Sequence, residues 1–229
     1  MFSIVIPLFN ESKNILPLIE EIYESLNNYS NFEIILVNDA STDNTLKILQ
    51  KIKSDSLVIL NNLENKGQSF SIHKGIYNSS NDIIITIDGD GQNDPTDIPK
   101  LLNLYLTNDD VKLVGGRRYK RQDNLIKVIT SKIANYIRSR ILRDNCDDTG
   151  CSLKVFDKKI FLKFPFFNGI HRFLPALFIG YGHKTLFHNV NHRKRKYGLS
   201  KYGTISRLFS GIRDIIKVHK IIKYKTLSS

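Results

Sequence analysis

The first 110 residues alternate short apolar runs with helical patterns, and this alternation constrains the fold more than any other feature. Residues 2–8, 32–37, 57–60 and 82–87 are β-branched, nearly all-apolar runs of strand length. After the first run, Ile15, Leu18, Ile19, Ile22 and Leu26 share one helical face, with Asn10 the expected N-cap. Leu46, Ile48, Leu49 and Ile52 mark a helix over 41–53, and 67–77 reads as a third. Strands apolar on both faces that alternate with helices belong to a parallel sheet covered on both sides. The expected class is α/β, a mostly parallel, Rossmann-like sheet flanked by helices. Ligands of such sheets bind beyond the carboxyl ends of the strands. Here those ends are 7–11, 38–41 and 88–92.

The second half is less regular. A helix is expected over 97–106, a strand over 111–115 running into Arg117 and Arg118, and a long basic helix over 124–142. Strands are expected at 152–156 and 184–191. Residues 193–203 carry five Lys/Arg and two Gly and read as a mobile loop. Residues 205–224 form a terminal amphipathic helix. With 41% hydrophobic and 24% charged residues the chain is globular, not disordered. No apolar run approaches the roughly 18 residues needed to cross a bilayer. The start lacks the basic leader of a signal peptide. Two cysteines, not in a CxxC pair, make no disulfide scaffold and point to a reducing cytosol.

Charge divides the chain. Residues 1–110 hold 7 Lys+Arg and 16 Asp+Glu, a net −9, whereas 111–229 hold 27 and 6, a net +21. The basic half suits an anionic partner: nucleic acid, an anionic membrane or a phosphorylated substrate. Solvated Lys-rich faces are the plain alternative, weakest for the HRKRK cluster at 192–196.

The segment TIDGDGQNDP (86–95) is the most informative. It sets Asp88, Asp90 and Gln92 at alternate positions after an apolar strand, so three oxygen-bearing side chains share one side. Mg²⁺ or Mn²⁺ takes such oxygen ligands. In LVNDASTDNT (36–45), helix capping accounts for Ser41, Thr42 and Asp43, but not for Asp39 at the ligand edge. In IPLFNES (6–12), Pro7 and Asn10 shape a turn, and Glu11 is either a first-turn carboxylate or a ligand for a ribose hydroxyl.

In this order, IVIPLFNES, ILVNDASTDNT, NKGQSFSIHKGI and IDGDGQNDP resemble inverting family 2 glycosyltransferases of the GT-A fold. DDTGCSLKVF, HRFLPALF and HRKRKYGLSKYG narrow the resemblance to the polyprenyl-phosphate glycosyltransferases, which include dolichol-phosphate mannosyltransferase. The resemblance runs over about residues 1–220. It implies one catalytic unit over 1–203, with a nucleotide-binding part at 1–110, an acceptor part and basic loop at 111–203, and an amphipathic helix at 204–229. It also implies residue roles. Asp39 would read the nucleotide base, with Pro7, Asn10, Glu11 and Gly67 around the nucleoside. Asp88 would face the ribose–phosphate side, and Asp88, Asp90 and Gln92 would hold the metal. Arg117, Lys127 and Ser131 would receive the acceptor phosphate; Lys127 stands where relatives often have Arg, and it lacks that residue's bidentate geometry. Arg193, Arg195, Ser200 and Lys201 would close over the donor diphosphate.

Hydroxyl-directed relatives draw a carboxylate base from the stretch matching FFNGIHRF (166–173), which here has no acid. A phosphate monoester, with a second pKa near 6, needs none. The expected partners are thus a nucleotide sugar and a polyprenyl phosphate, with transfer to a sugar hydroxyl as the alternative. A membrane surface would be reached through the terminal helix or a membrane partner subunit, placing the protein at the cytoplasmic face of the membrane. No nucleic-acid partner is expected, because the acidic motifs have no use in one. His171 fits a structural hydrogen bond better than a phosphate contact.

Overall fold

The computed structural model describes residues 1–119, 136, 138–197 and 204–228, with only the backbone of 204–210, 212 and 226–228. Seven strands form one sheet: β1 (Phe2–Leu8), β2 (Phe32–Asn38), β3 (Leu57–Asn61), β4 (Ile83–Thr86), β5 (Val111–Arg118), β6 (Lys154–Asp157) and β7 (Lys184–Val190). Their order is β3-β2-β1-β4-β6-β5-β7. β1, β2, β3 and β4 run parallel, in register from Phe2↔Phe32 to Leu8↔Asn38 across the first pair. β6 is antiparallel to both β4 and β5, and β7 returns parallel to β5.

The helices are α1 (Ile15–Ser25), α2 (Thr45–Leu49), α3 (Gln68–Tyr77), α4 (Ile98–Leu106), α5 (Lys158–Phe161), α6 (Leu174–Gly180) and α7 (Thr204–Ser228). Alternation along β1 explains why the strands read as apolar throughout. Ile4, Ile6 and Leu8 join Leu18, Ile22, Ile98 and Leu102 under α1 and α4. Val5 joins Ile35, Ile72, Ile76 and Phe178 on the other face. Each such Ile or Leu, taken from water, contributes about 2 kcal/mol. α3 seats close to β1 because residue 75 is glycine: a Cβ there would lie 2.4 Å from Val5 Cγ1.

Several boundaries differ from expectation. Asn10 does not cap α1, which begins at Ile15. Its φ is 56°, and its side chain instead crosses to the β2–α2 turn. α2 is regular only over Thr45–Leu49, because Asp43 Oδ1 ties down Thr45 N and holds 41–44 as a turn. β5 extends through Arg118, paired with β7, so Arg117 and Arg118 sit on the sheet. Of the helix expected at 124–142, residues 136 and 138–142 are described and helical.

On α7, Asp214 and Val218 are buried, and Ile222 lies against Gly180 of α6. Arg213, Ile216, Lys220, Lys223 and Tyr224 occupy the exposed face. The helix packs on the domain and still presents a cationic, partly apolar stripe. No described helix is long and apolar enough to cross a membrane.

Candidate active site

The carboxyl ends of β1, β2 and β4 carry the predicted acidic motifs to one edge. Asn10 stitches two of them together. Its Oδ1 accepts from Thr42 N at 2.7 Å, and its N–H donates to Ser41 Oγ at 3.0 Å. Glu11 N donates to Thr45 Oγ1 at 2.9 Å, and Glu11 Oε2 accepts from Asn14 Nδ2 at 2.7 Å. Pro7 lies just inside the end of β1. Ala40, at the end of β2, has a φ of 54°. Left-handed backbone at a residue other than glycine is strained, and such strain gathers at ligand edges.

Asp39 is 2% exposed. Its Oδ1 accepts from Asn62 Nδ2 at 2.7 Å and Lys66 N at 2.9 Å, and its Oδ2 from Gly67 N at 2.8 Å. The carboxylate thus sets the turn that opens α3, where Gly67 takes a φ of 85°. A cavity of about 490 Å³, lined by Asn62, Lys66, Phe70 and Lys74 among others, adjoins this turn. Gln68, the first residue of α3, donates from Nε2 to Asp88 Oδ1 at 2.7 Å.

Burial pushes the Asp88 carboxyl up to about 7, and the nearby Asp90 charge adds to the rise. Ser152, Lys154 and Arg118 pull the other way. Asp90 Oδ1 accepts from Gln92 N at 3.1 Å, closing a tight turn around Gly91. Two neighbouring carboxylates, with an amide oxygen two residues on, suit a hard divalent cation. Among the described residues no cluster of three His, Cys, Asp or Glu could hold a metal. A cation at Asp88, Asp90 and Gln92 would therefore complete its shell with water or ligand oxygens, as Mg²⁺ commonly does. The residues present fit the metal.

The basic segment after β7 lies on this acidic edge. Residues 92–93 pair with 192–193: Arg193 N donates to Gln92 O at 2.8 Å, and Asn93 bridges His192. Arg195 Nη2 is 2.7 Å from Asp90 Oδ2 and 3.6 Å from Glu11 Oε1. Arg193 goes elsewhere, to Glu21 at 2.6 Å and Asp94 at 2.8 Å. Within the loop expected over 193–203, Arg193 and Arg195 are thus held by carboxylates of the other half. Ser200 and Lys201, with Gly198 and Gly203, lie outside the described residues, as do Lys127 and Ser131.

Arg117 lies on β5, with Nη2 3.3 Å from Asp147 and its guanidinium over the Phe187 ring. Its neighbour Arg118 points to the opposite face and is clamped by Asp148, Nε to Oδ2 and Nη2 to Oδ1, each at 2.7 Å. Sequence reasoning assigned no role to Gln68, Ser152, Lys154 or Arg118. Ser152 Oγ accepts from Asp88 N at 3.0 Å, and Lys154, 3% exposed, shares that neighbourhood. A lysine inside the apolar run of β6 was the available signal.

The family model of glycosyl transferase family 2 matches residues 3–167. The chain belongs to this family. It is 35% identical over 229 residues to a dodecaprenyl-phosphate galacturonate synthase of Rhizobium johnstonii, covering 97% of this chain and 68% of that protein. It is 33% identical over 219 residues to an undecaprenyl-phosphate 4-deoxy-4-formamido-L-arabinose transferase of Yersinia pestis, covering 93% and 66%. The chain thus spans about two thirds of the length of these relatives. Solved structures share the fold. Glucosyl-3-phosphoglycerate synthase of Mycobacterium tuberculosis with Mn²⁺, uridine diphosphate and phosphoglyceric acid has a TM-score of 0.70 at 17% identity, over 95% of this chain and 76% of that one. Mannosyl-3-phosphoglycerate synthase of Rubrobacter xylanophilus has a TM-score of 0.71 at 16% identity, over 95% and 72%. The sheet and its flanking helices are the GT-A fold.

Proposed function

We propose that the protein is an inverting glycosyltransferase that moves a sugar from a nucleotide donor to a polyprenyl phosphate. The observation that carries this reading is the meeting of Asp90, neighbour to Asp88, with Arg195 at one edge, beside a turn set by Asp39. The relatives, named for dodecaprenyl and undecaprenyl phosphate, support the acceptor class.

In this reading Asp39 and the 62–67 turn hold the base, and Pro7, Asn10 and Glu11 flank the ribose. Asp88, Asp90 and Gln92 would hold Mg²⁺ or Mn²⁺, which would supply charge stabilisation for a leaving diphosphate. Arg195, with Ser200 and Lys201 beyond it, adds donors to the same oxygens. Arg193 serves as the staple that aims Arg195. Arg117, with Lys127 and Ser131, receives the acceptor phosphate. A phosphate oxygen attacks the anomeric carbon from the face opposite the diphosphate, which leaves with the bonding pair. The phosphate is already largely ionised at pH 7, so the step requires no base.

The lipid is met at the cytoplasmic face of a membrane, through the stripe on α7 and a groove of about 460 Å³ beside it. The cations Arg140, Arg143 and Lys223 line that groove together with Ile141 and Ile222. Cations interleaved with isoleucine and tyrosine suit anionic headgroups.

The test is incubation with a panel of nucleotide sugars, Mg²⁺ or Mn²⁺ and short polyprenyl phosphates, read by mass spectrometry. A sugar–phosphate–lipid product and a free nucleoside diphosphate are expected. Transfer to sugar hydroxyls with none to lipid phosphate would overturn the reading.

A further inference from the structure

His171 lies on the 3-10 turn Ile170–Arg172 and is partly exposed. Its Nδ1 is 2.7 Å from Ser69 Oγ. The same oxygen accepts from Gly169 N at 2.7 Å. Ser69 is only 4% exposed, so its hydroxyl proton must find a partner inside the protein. Gly169 N–H can only donate, which leaves Nδ1 to accept that proton. The imidazole is thereby set as its neutral Nε2–H tautomer, a hydrogen-bond donor at Nε2 rather than a base.

The turn is fixed on both sides. Ser69 follows Gln68, whose amide holds Asp88. The start of α3 therefore carries one side chain bound to the metal motif and the next bound to His171. On the far side Arg172 Nη2 is 2.7 Å from Asp214 of α7, and Ile170 and Phe173 are buried. A half-exposed imidazole with a set tautomer, held this firmly beside the acidic edge, is more than packing requires.

We propose that His171 is a catalytic residue whose Nε2–H donates a hydrogen bond to the acceptor phosphate, and that Ser69 is the positioning residue that maintains its tautomer. This rests on the phosphate-acceptor reading above. A dianionic nucleophile is repelled by a carboxylate, and a neutral N–H orients one of its oxygens without neutralising it. As the phosphate oxygen bonds to the anomeric carbon, the bond to the donor diphosphate breaks, and no proton passes through His171.

The experiment uses the full chain, the nucleotide sugar it accepts and a short polyprenyl phosphate. Loss of one oriented donor lowers turnover by about 100-fold, so His171→Glu is expected near that value and His171→Gln, which keeps an N–H, within about fivefold of wild type. The donor KM is expected to stay the same in both. Ser69→Ala is expected to lower turnover about tenfold in wild type and by no more than about threefold in His171→Gln, where only the lost Gly169 N–H contact and the free amide orientation remain. Equal turnover of Gln and Glu variants, or the same Ser69→Ala loss in both backgrounds, overturns the proposal. ¹⁵N NMR of histidine-labelled protein, with His171 assigned by its loss in His171→Gln, reads the tautomer without any variant needing activity. A proton on Nε2 is expected, and one on Nδ1 overturns the assignment. Wild-type protein that makes no lipid product would sink the functional reading instead, leaving the tautomer measurement to stand or fall alone.

Discussion

The acidic and basic halves organise charge in opposite ways. In residues 1–110 carboxylates sit at strand ends, held by neighbouring backbone N–H groups: Asp39 by Lys66 and Gly67, Asp90 by Gln92. In residues 111–229 acids are few, and most of the described ones pair with arginines: Asp148 with Arg118, Asp144 with Arg138, Asp214 with Arg172, Asp147 with Arg117. The cations after β7 are placed by the other half altogether, Arg193 by Glu21 and Asp94, Arg195 by Asp90 and Glu11. The first half builds most of its site from its own residues, whereas the cations after β7 take their positions from the first half.

That contrast can be broken at either end. Asp90→Asn removes the carboxylate shared by the metal motif and Arg195. Turnover is expected to fall by about 10²–10³-fold or more, with an unchanged circular dichroism spectrum. Near-normal turnover would remove Asp90 from the metal role.

In the basic half the largest effect falls on stability. Asp148 is buried and Arg118 partly buried, and Asp148→Ala leaves a guanidinium without its clamp. Breaking such a pair costs about 3 kcal/mol, visible in chemical denaturation. The double variant Arg118→Met/Asp148→Ala is expected to recover much of that loss. A deficit in the double variant as large as in the single one would contradict the account.

The stripe on α7 is the next test. Lys220→Ala/Lys223→Ala is expected to weaken binding to phosphatidylglycerol vesicles by about 2 kcal/mol, some thirtyfold, and to leave neutral vesicles unaffected. Unchanged binding would mean that the stripe meets something other than an anionic surface.

The smallest effect sharpens the picture of the acidic edge. Ala40 has left-handed backbone at the end of β2, so Ala40→Gly is expected to raise stability by about 1 kcal/mol. No gain would mean that neighbouring contacts already offset the strain there.

The same contrast explains what the sequence disclosed. β1, β2 and β4 were legible because buried parallel strands carry apolar residues on both faces, so their ends, and Asp39, Asp88 and Asp90, followed. Asn10 misled because one residue type serves both as helix cap and as turn staple, and only the distance to Thr42 separates the two. Arg117 and Arg118 are adjacent letters whose opposite faces became visible only with the pairing of β5 to β7. Arg193 and Arg195 read as one mobile cluster because their partners lie 99 residues away or farther. Ser69 and His171 are likewise about a hundred residues apart, and no spacing rule joins them.

The central claim is that an ionised phosphate oxygen attacks the sugar while the donor leaves intact as its diphosphate. Polyprenyl phosphate carrying ¹⁸O in its three terminal oxygens tests it directly. Mass spectrometry should find all three labels in the glycosylated lipid and none in the released nucleoside diphosphate. Release of a nucleoside monophosphate, or a label missing from the lipid product, would contradict the account.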